Sequence, residues 1–197
     1  MLHLTATYTV YAEGGLVLDY DVKVSEGLPP LPRFGVQFMM PAGFEMLDYY
    51  GRGPVESYID KRHASWEGRF KTSVTDHFEH YVRPQENMAH ADTLWMNVSC
   101  AAGQGLYALA TDARFSFNCS HFTPHDLTSL TGHDFELVPR RETVVNIDYR
   151  QTGIGSNSCG HELLPQYRLS EREFRFTVRL LSARRNDICP FCEAGRK

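Results

Sequence analysis

Apolar and polar residues exchange places at every second position in one stretch after another of this chain, and no long stretch repeats at helical spacing. A two-residue period is the spacing of side chains on the two faces of a strand. Leu2, Leu4, Ala6, Tyr8 and Val10 alternate with threonines. After the turn signal Glu13-Gly14-Gly15, Leu16, Leu18, Tyr20, Val22 and Val24 alternate with Asp19, Asp21 and Lys23, which makes the two segments hairpin partners. The same pattern returns at Phe34 to Met40, Leu94 to Val98, Leu106 to Ala110, Phe115 to Phe117, Val145 to Tyr149 and Phe174 to Leu180. Between these runs stand Gly, Pro, Asn and Asp clusters, the punctuation of turns. The spacing predicts about eight to ten short strands, one helical turn at most near Pro124, and irregular structure from His63 to His80. The fold class this implies is all-β, an antiparallel β-sandwich in a single domain over residues 1–197.

Composition narrows what such a sandwich does. The 197 residues are enough to bury a sizeable core, and 42% hydrophobic with 22% charged residues is ordinary for a globular protein. A net charge of -4 argues against nucleic acid as a partner. No apolar run of membrane-spanning length occurs, so no membrane partner is expected. The first residues lack the basic start and apolar core of a signal peptide and read as a chain entering mid-strand, which raises the expectation of a fragment of something longer. Of the five cysteines, Cys189 and Cys192 form a lone C-x-x-C; without a second ligand pair or a βαβ setting they read as ordinary thiols.

The densest polar stretch is Tyr50-Gly51-Arg52-Gly53-Pro54-Val55-Glu56-Ser57-Tyr58-Ile59-Asp60-Lys61-Arg62. Its glycines and proline read as an ordered loop, and if the part after Pro54 is extended, Glu56, Tyr58, Asp60 and Arg62 share one face. A second polar loop, Tyr81-Val82-Arg83-Pro84-Gln85-Glu86-Asn87, carries another carboxylate. Glycosidases oppose two carboxyls across the scissile bond, but loop carboxylates more commonly cap turns or pair with arginines such as Arg52, Arg62 and Arg83, and that reading is preferred for Glu56, Asp60 and Glu86. His121 and His125 have Pro124 between them and no intervening glutamate, unlike a zinc-protease pair, so no metal site is assigned. Gly153-Ile154-Gly155 lacks the third glycine and following helix of a dinucleotide site. Trp66 and Trp95 read as sandwich packing in preference to exposed sugar platforms.

Four motifs in order carry a family resemblance: Leu31-Pro32-Arg33-Phe34-Gly35, the Gly51 to Arg62 stretch, Tyr81-Val82-x-Pro84-Gln85-Glu86-Asn87, and Gly153-Ile154-Gly155-Ser156-Asn157-Ser158-Cys159-Gly160. Together with the last strand they resemble the C-terminal domain, the small-chain region, of the large bacterial β-galactosidases of glycoside hydrolase family 2, over about residues 16–181. The resemblance implies a large sandwich of the galactose mutarotase-like supersandwich type, with further strands ahead of this start. It implies a parent enzyme that hydrolyses terminal β-D-galactosides with retention, its catalytic glutamates on an upstream barrel and its Mg and Na ions also upstream, so that this chain carries no catalytic residue, metal ligand or cofactor. Upstream domains of the same enzyme and the galactoside substrate are the implied partners, in a homo-oligomeric parent. A cytoplasmic location is the preferred expectation, a periplasmic one the alternative. Some family members place a tryptophan at the end of the Gly-x-Gly loop, where it stacks on the sugar; Gly160 stands near that position here. Ser156, Asn157, Ser158 and His161 are the substrate-facing candidates that remain. Gly51, Gly53, Pro54, Glu56, Tyr58, Asp60, Arg62, Glu86 and Asn87 read as structural loop residues. The competing expectation is a free-standing mutarotase-like isomerase or carbohydrate-binding module, whose acid and base would come from His161, His80 and Glu86.

Overall fold

Residues 1–12, 14–155 and 161–184 are described by the computed structural model. They form two antiparallel sheets. The larger sheet orders its strands β1(Leu2–Val10), β2(Gly15–Val24), β11(Glu173–Arg184), β8(Gln104–Ala110), β7(Trp95–Cys100), β4(Phe44–Gly53) and β5(Trp66–Ser73). The smaller orders β3(Arg33–Met40), β10(Thr143–Gln151), β9(Phe115–Ser120) and β6(His90–Thr93). Every strand pairing within the two sheets is antiparallel, and β1 and β2 form the expected hairpin. The all-β sandwich read from the alternation is therefore the fold observed.

The alternation sorts the faces. Leu18, Tyr20, Val22, Leu47, Tyr49, Met96, Val98, Phe176, Val178 and Leu180 of the large sheet meet Phe115, Phe117, Cys119, Val145 and Ile147 of the small one in a single buried cluster. Burying each large side chain of this kind contributes about 1.5–3 kcal/mol. Leu2, Leu4, Ala6, Tyr8 and Val10 lie opposite Val24, Val22, Tyr20, Leu18 and Leu16, hence on the same face, yet all of β1 is exposed. The larger sheet thus extends one strand beyond the cover of the smaller. Trp95 is buried in a second cluster with Tyr107, Leu109 and Leu181, whereas Trp66 is 59% exposed and meets Phe70 edge-on. The packing expectation holds for the first tryptophan and fails for the second.

Two stretches differ from expectation. The segment from His63 to His80 contains β5, an edge strand whose apolar residues are spread thinly between Trp66 and Phe70, so its period is weak. Tyr50-Gly51-Arg52-Gly53 is strand, since β4 runs to Gly53 between β5 and β7. Neither glycine takes a left-handed φ. What they supply is space: a Cβ on Gly51 would stand 2.6 Å from Thr93 Oγ1, and one on Gly53 2.3 Å from the Tyr49 hydroxyl. The helical turn expected near Pro124 is α1(Pro124–Ser129), opened by a capping box between Thr123 and Asp126. No helix among the described residues is long and apolar enough to cross a membrane.

Candidate functional site

The polar motifs, far apart in sequence, meet at one end of the small sheet. After Pro54 the chain turns instead of running extended. Tyr58 and Lys61 exchange backbone hydrogen bonds of 3.1 and 3.0 Å, while Ser57 pairs with the 89–91 segment. The turn sends Glu56, Tyr58, Asp60 and Arg62 to four different surroundings, so they do not share a face. Glu56 is buried and accepts from Lys61, from the Tyr81 hydroxyl at 2.5 Å and from the Met88 amide at 3.0 Å. It ties the first polar loop to the second. Tyr58 is 2% exposed, and burial first, then the Glu86 and Glu56 charges, push its phenol far above its ordinary value. Arg62 joins Arg52 on the Asp92 carboxylate, at 3.2 and 3.0 Å.

Asp60 holds the glycine loop. Its carboxylate accepts from the backbone amides of Ile154 at 3.2 Å and Gly155 at 2.7 Å. Gly153 lies against the same carboxylate, where a Cβ would stand 2.5 Å from the Asp60 carboxyl carbon. Gly155 takes φ +61°, the left-handed region that favours glycine. On the other side, the Gly153 amide donates to Tyr167 and the Thr152 amide to Pro32. Ser156, Asn157 and Ser158, the substrate-facing candidates, lie outside the described residues, as do Cys159, Cys189 and Cys192; His161 is exposed.

The third motif is built on Arg33. Its guanidinium bridges Asp148 and Glu86, the latter at 3.0 Å. Gly35 makes room for this: a Cβ there would stand 2.3 Å from Asp148 Oδ1. Asp148 is 2% exposed and Glu86 partly buried; burial raises both carboxyls above the usual range, and Arg33 works against that rise. Glu86 also closes a directed amide row across three strands. Gln37 donates to Asn146 at 2.8 Å, Asn146 to Asn118 at 2.8 Å, and Asn118 to Glu86 at 2.9 Å. Asn87 fastens its own loop, accepting from the Glu79 amide and donating to Gln85.

Sequence reasoning missed Asp148, Asp92 and a buried histidine pair. The Nε2 atoms of His77 and His90 approach to 2.6 Å, and each Nδ1 faces a carbonyl, Cys119 and Arg52 respectively. Burial lowers both rings, His77 to about 4, so the pair is neutral at neutral pH. No apolar or charged pattern surrounds these histidines in the sequence; only the packed structure pairs them.

The arrangement leaves the carboxylates committed: Glu56 to a lysine, a phenol and an amide, Asp60 to two amides, Glu86 to Arg33 and Asn118. His80 is paired with Asp134 at 2.5 Å, and His121 with Glu45 at 2.9 Å. Among the described residues no group of three or more His, Cys, Asp or Glu side chains is placed to hold a metal ion. These contacts tie the turn after Pro54, the second polar loop and the glycine loop to one another and to β3 and β10.

A family model described as Beta galactosidase small chain matches residues 1–180, a span that begins ahead of the 16–181 region carrying the motifs. A protein of Staphylococcus xylosus named Beta-galactosidase is 41% identical over 176 residues, 89% of this chain and 17% of that protein. Another of that name from Actinobacillus pleuropneumoniae is 35% identical over 181 residues, 92% of this chain and 17% of that protein. A third, from Kluyveromyces lactis, is 30% identical over 171 residues. The chain thus spans about a sixth of the length of the curated relatives it matches. With the family model matching nearly its whole length, the chain belongs to the β-galactosidase small chain family.

Proposed function

We propose that this chain is the non-catalytic β-sandwich domain of an enzyme that hydrolyses terminal β-D-galactosides. In this reading the domain supports a catalytic barrel supplied by upstream parts of the same polypeptide, and its glycine loop lines the outer part of the sugar site. The names of the relatives and the small share of each that this chain covers support the first part. The observation that carries the second is the Asp60 carboxylate on the amides of Ile154 and Gly155. The Asp60 carboxylate holds the chain just ahead of residue 156, after which hydrogen-bonding side chains follow in sequence. Fixing a loop in its bound shape reduces the ordering cost of binding.

The test uses the full-length protein. Asp60→Ala is expected to raise KM for a chromogenic β-galactoside by about threefold to tenfold, equivalent to about 0.7–1.4 kcal/mol, while the same substitution leaves the barrel chemistry in place. Unchanged kinetics in that variant would sink the substrate-lining part. The 197-residue chain assayed alone is expected to show no turnover; activity surviving repurification would sink the supporting role. Polarimetry on D-galactose with the same sample reads out the isomerase alternative.

A further inference from the structure

Between the turn that carries Asp60 and the end of β10 lies a polar cavity of about 260 Å³. Arg62 lines it from the turn, Arg150 from β10 and Arg114 from the segment just ahead of β9. Asp92 of β6 is the one carboxylate among its described lining residues. Three guanidiniums thus share a wall with one carboxylate. That carboxylate is divided further, since it serves Arg52 at 3.0 Å as well as Arg62 at 3.2 Å. The other acidic partners, Glu67 on Arg114 and Glu171 on Arg150, both at 2.9 Å, are not among the lining residues. Both of those pairs are well exposed, so water screens them. The wall carries a surplus of positive charge.

Two donors at this wall are also unused. The Nε of Arg62 is buried and has no hydrogen-bond partner among the described residues. The same is true of the Tyr58 hydroxyl, on a lining residue that is 2% exposed. The carboxylates whose charge Tyr58 feels, Glu86 and Glu56, are taken by Arg33 and Lys61. A buried donor without an acceptor costs free energy that a bound acceptor recovers. The complement of surplus positive charge and idle donors is an acceptor that carries negative charge. A guanidinium presents its N–H groups in a fixed fork that matches the oxygens of a carboxylate or a phosphate. The cavity is smaller than the usual small-molecule site, roughly 300–1,000 Å³, which suits a small anion.

We propose that this cavity binds a small oxyanion, a phosphate or a carboxylate group. Arg62, Arg114 and Arg150 supply the charge, and the Arg62 Nε and the Tyr58 hydroxyl supply donors that nothing else uses. An anion held there joins the turn after Pro54 to the end of β10, the two segments that meet again where Asp60 holds the glycine loop. The site does not depend on the proposed galactoside function and adds a ligand class to it.

The experiment titrates inorganic phosphate, and separately acetate, into the 197-residue chain by calorimetry at constant ionic strength. It is repeated with Ala113→Glu and Ala113→Gln. Ala113 is an exposed lining residue, and the two replacements have the same length and differ in charge alone. The expected result is saturable binding of at least one of the two anions with a Kd of about 1 mM or tighter. Ala113→Gln is expected to stay close to the parent chain and Ala113→Glu to bind about tenfold more weakly. Lys23→Gln removes an exposed cation on β2, away from the cavity, and is expected to change nothing. Absence of saturable binding for both anions would overturn the inference. So would equal affinity in the Ala113→Glu and Ala113→Gln proteins, a loss in Lys23→Gln as large as in Ala113→Glu, or displacement of the anion by D-galactose at equal concentration.

Discussion

The contact between Gly153 and Asp60 allows a sharp test of why the glycine loop has its sequence. Gly153 is not among the glycines with left-handed φ, so alanine is permitted by the backbone and opposed only by space. The alanine Cβ would stand 2.5 Å from the Asp60 carboxyl carbon, against 3.4 Å for ordinary contact, so the carboxylate must retreat by about 0.9 Å. A retreat of that size away from Gly153 stretches the 2.7 Å hydrogen bond from Gly155 past any useful length. Hydrogen bonds to a charged acceptor contribute about 1.5–3 kcal/mol when shielded; Ile154 and Gly155 are exposed, so solvent screening brings the pair to about 1–2 kcal/mol together. In a chain of this size that is about 5 °C in melting temperature. Asp60→Ala removes the same two bonds by another route and is expected to cost the same. The decisive measurement is the double variant. Without the Asp60 carboxylate there is nothing for the new methyl to strike, so Gly153→Ala in the Asp60→Ala background is expected to be nearly free, giving a coupling of about 1 kcal/mol by chemical denaturation. Costs that add within about 0.3 kcal/mol would show that the two residues act separately, and the clamp would not be the reason for the glycine.

Three further outcomes follow from other parts of the network. Arg33→Met strands Asp148 and Glu86 without their cation and is expected to destabilise by about 3 kcal/mol, the low end for breaking a buried pair, measured by denaturant unfolding. His77 is held neutral with a pKa of about 4 against 6.5 in the unfolded chain, so the unfolded state binds the extra proton first; stability is full above about pH 6.5 and falls by about 3 kcal/mol as pH drops toward 4, and a His77→Phe, His90→Leu variant should flatten that slope in pH-dependent melting. Glu56→Gln in the full-length protein is expected to lower the melting temperature or assembly more than turnover, because its oxygens serve Lys61, Tyr81 and Met88; a selective loss of kcat at constant melting temperature would contradict this.

What the sequence made legible follows from where packing is one-sided. β2 and β11 each bury an alternating face against the other sheet and their pattern reads directly, whereas β10 is buried at six consecutive positions and reads only through the core residues Val145 and Ile147. β5 sits at an edge, with Trp66 exposed, and has little pattern to read. β6 is only four residues, His90–Thr93, and its buried members include a histidine whose ring partners, His77 and the Arg52 carbonyl, lie on other segments. Of the loop carboxylates, only Glu86 takes an arginine, Arg33; Glu56 takes a lysine, a phenol and an amide, and Asp60 two backbone amides. The identity of the partners was not readable: Glu56 meets an amide 32 residues away, and Asp60 meets amides 94 and 95 residues away. Gly51 and Gly53 were misread because glycine answers two needs, unusual φ and absent volume, and a sequence does not say which.

The amide row from Gln37 through Asn146 and Asn118 to Glu86 works as a key for strand alignment. Asn146 faces Gln37 on one side and Asn118 on the other, between core residues Val145 and Ile147. Sliding β10 by one position would carry an amide into the hydrocarbon core and turn a valine out against two amides left without partners. Apolar alternation alone would penalise that slip through lost burial; the row adds a second penalty from unmet hydrogen bonds. Because Glu86 ends the row, the same key that aligns three strands also sets the height at which the second polar loop docks.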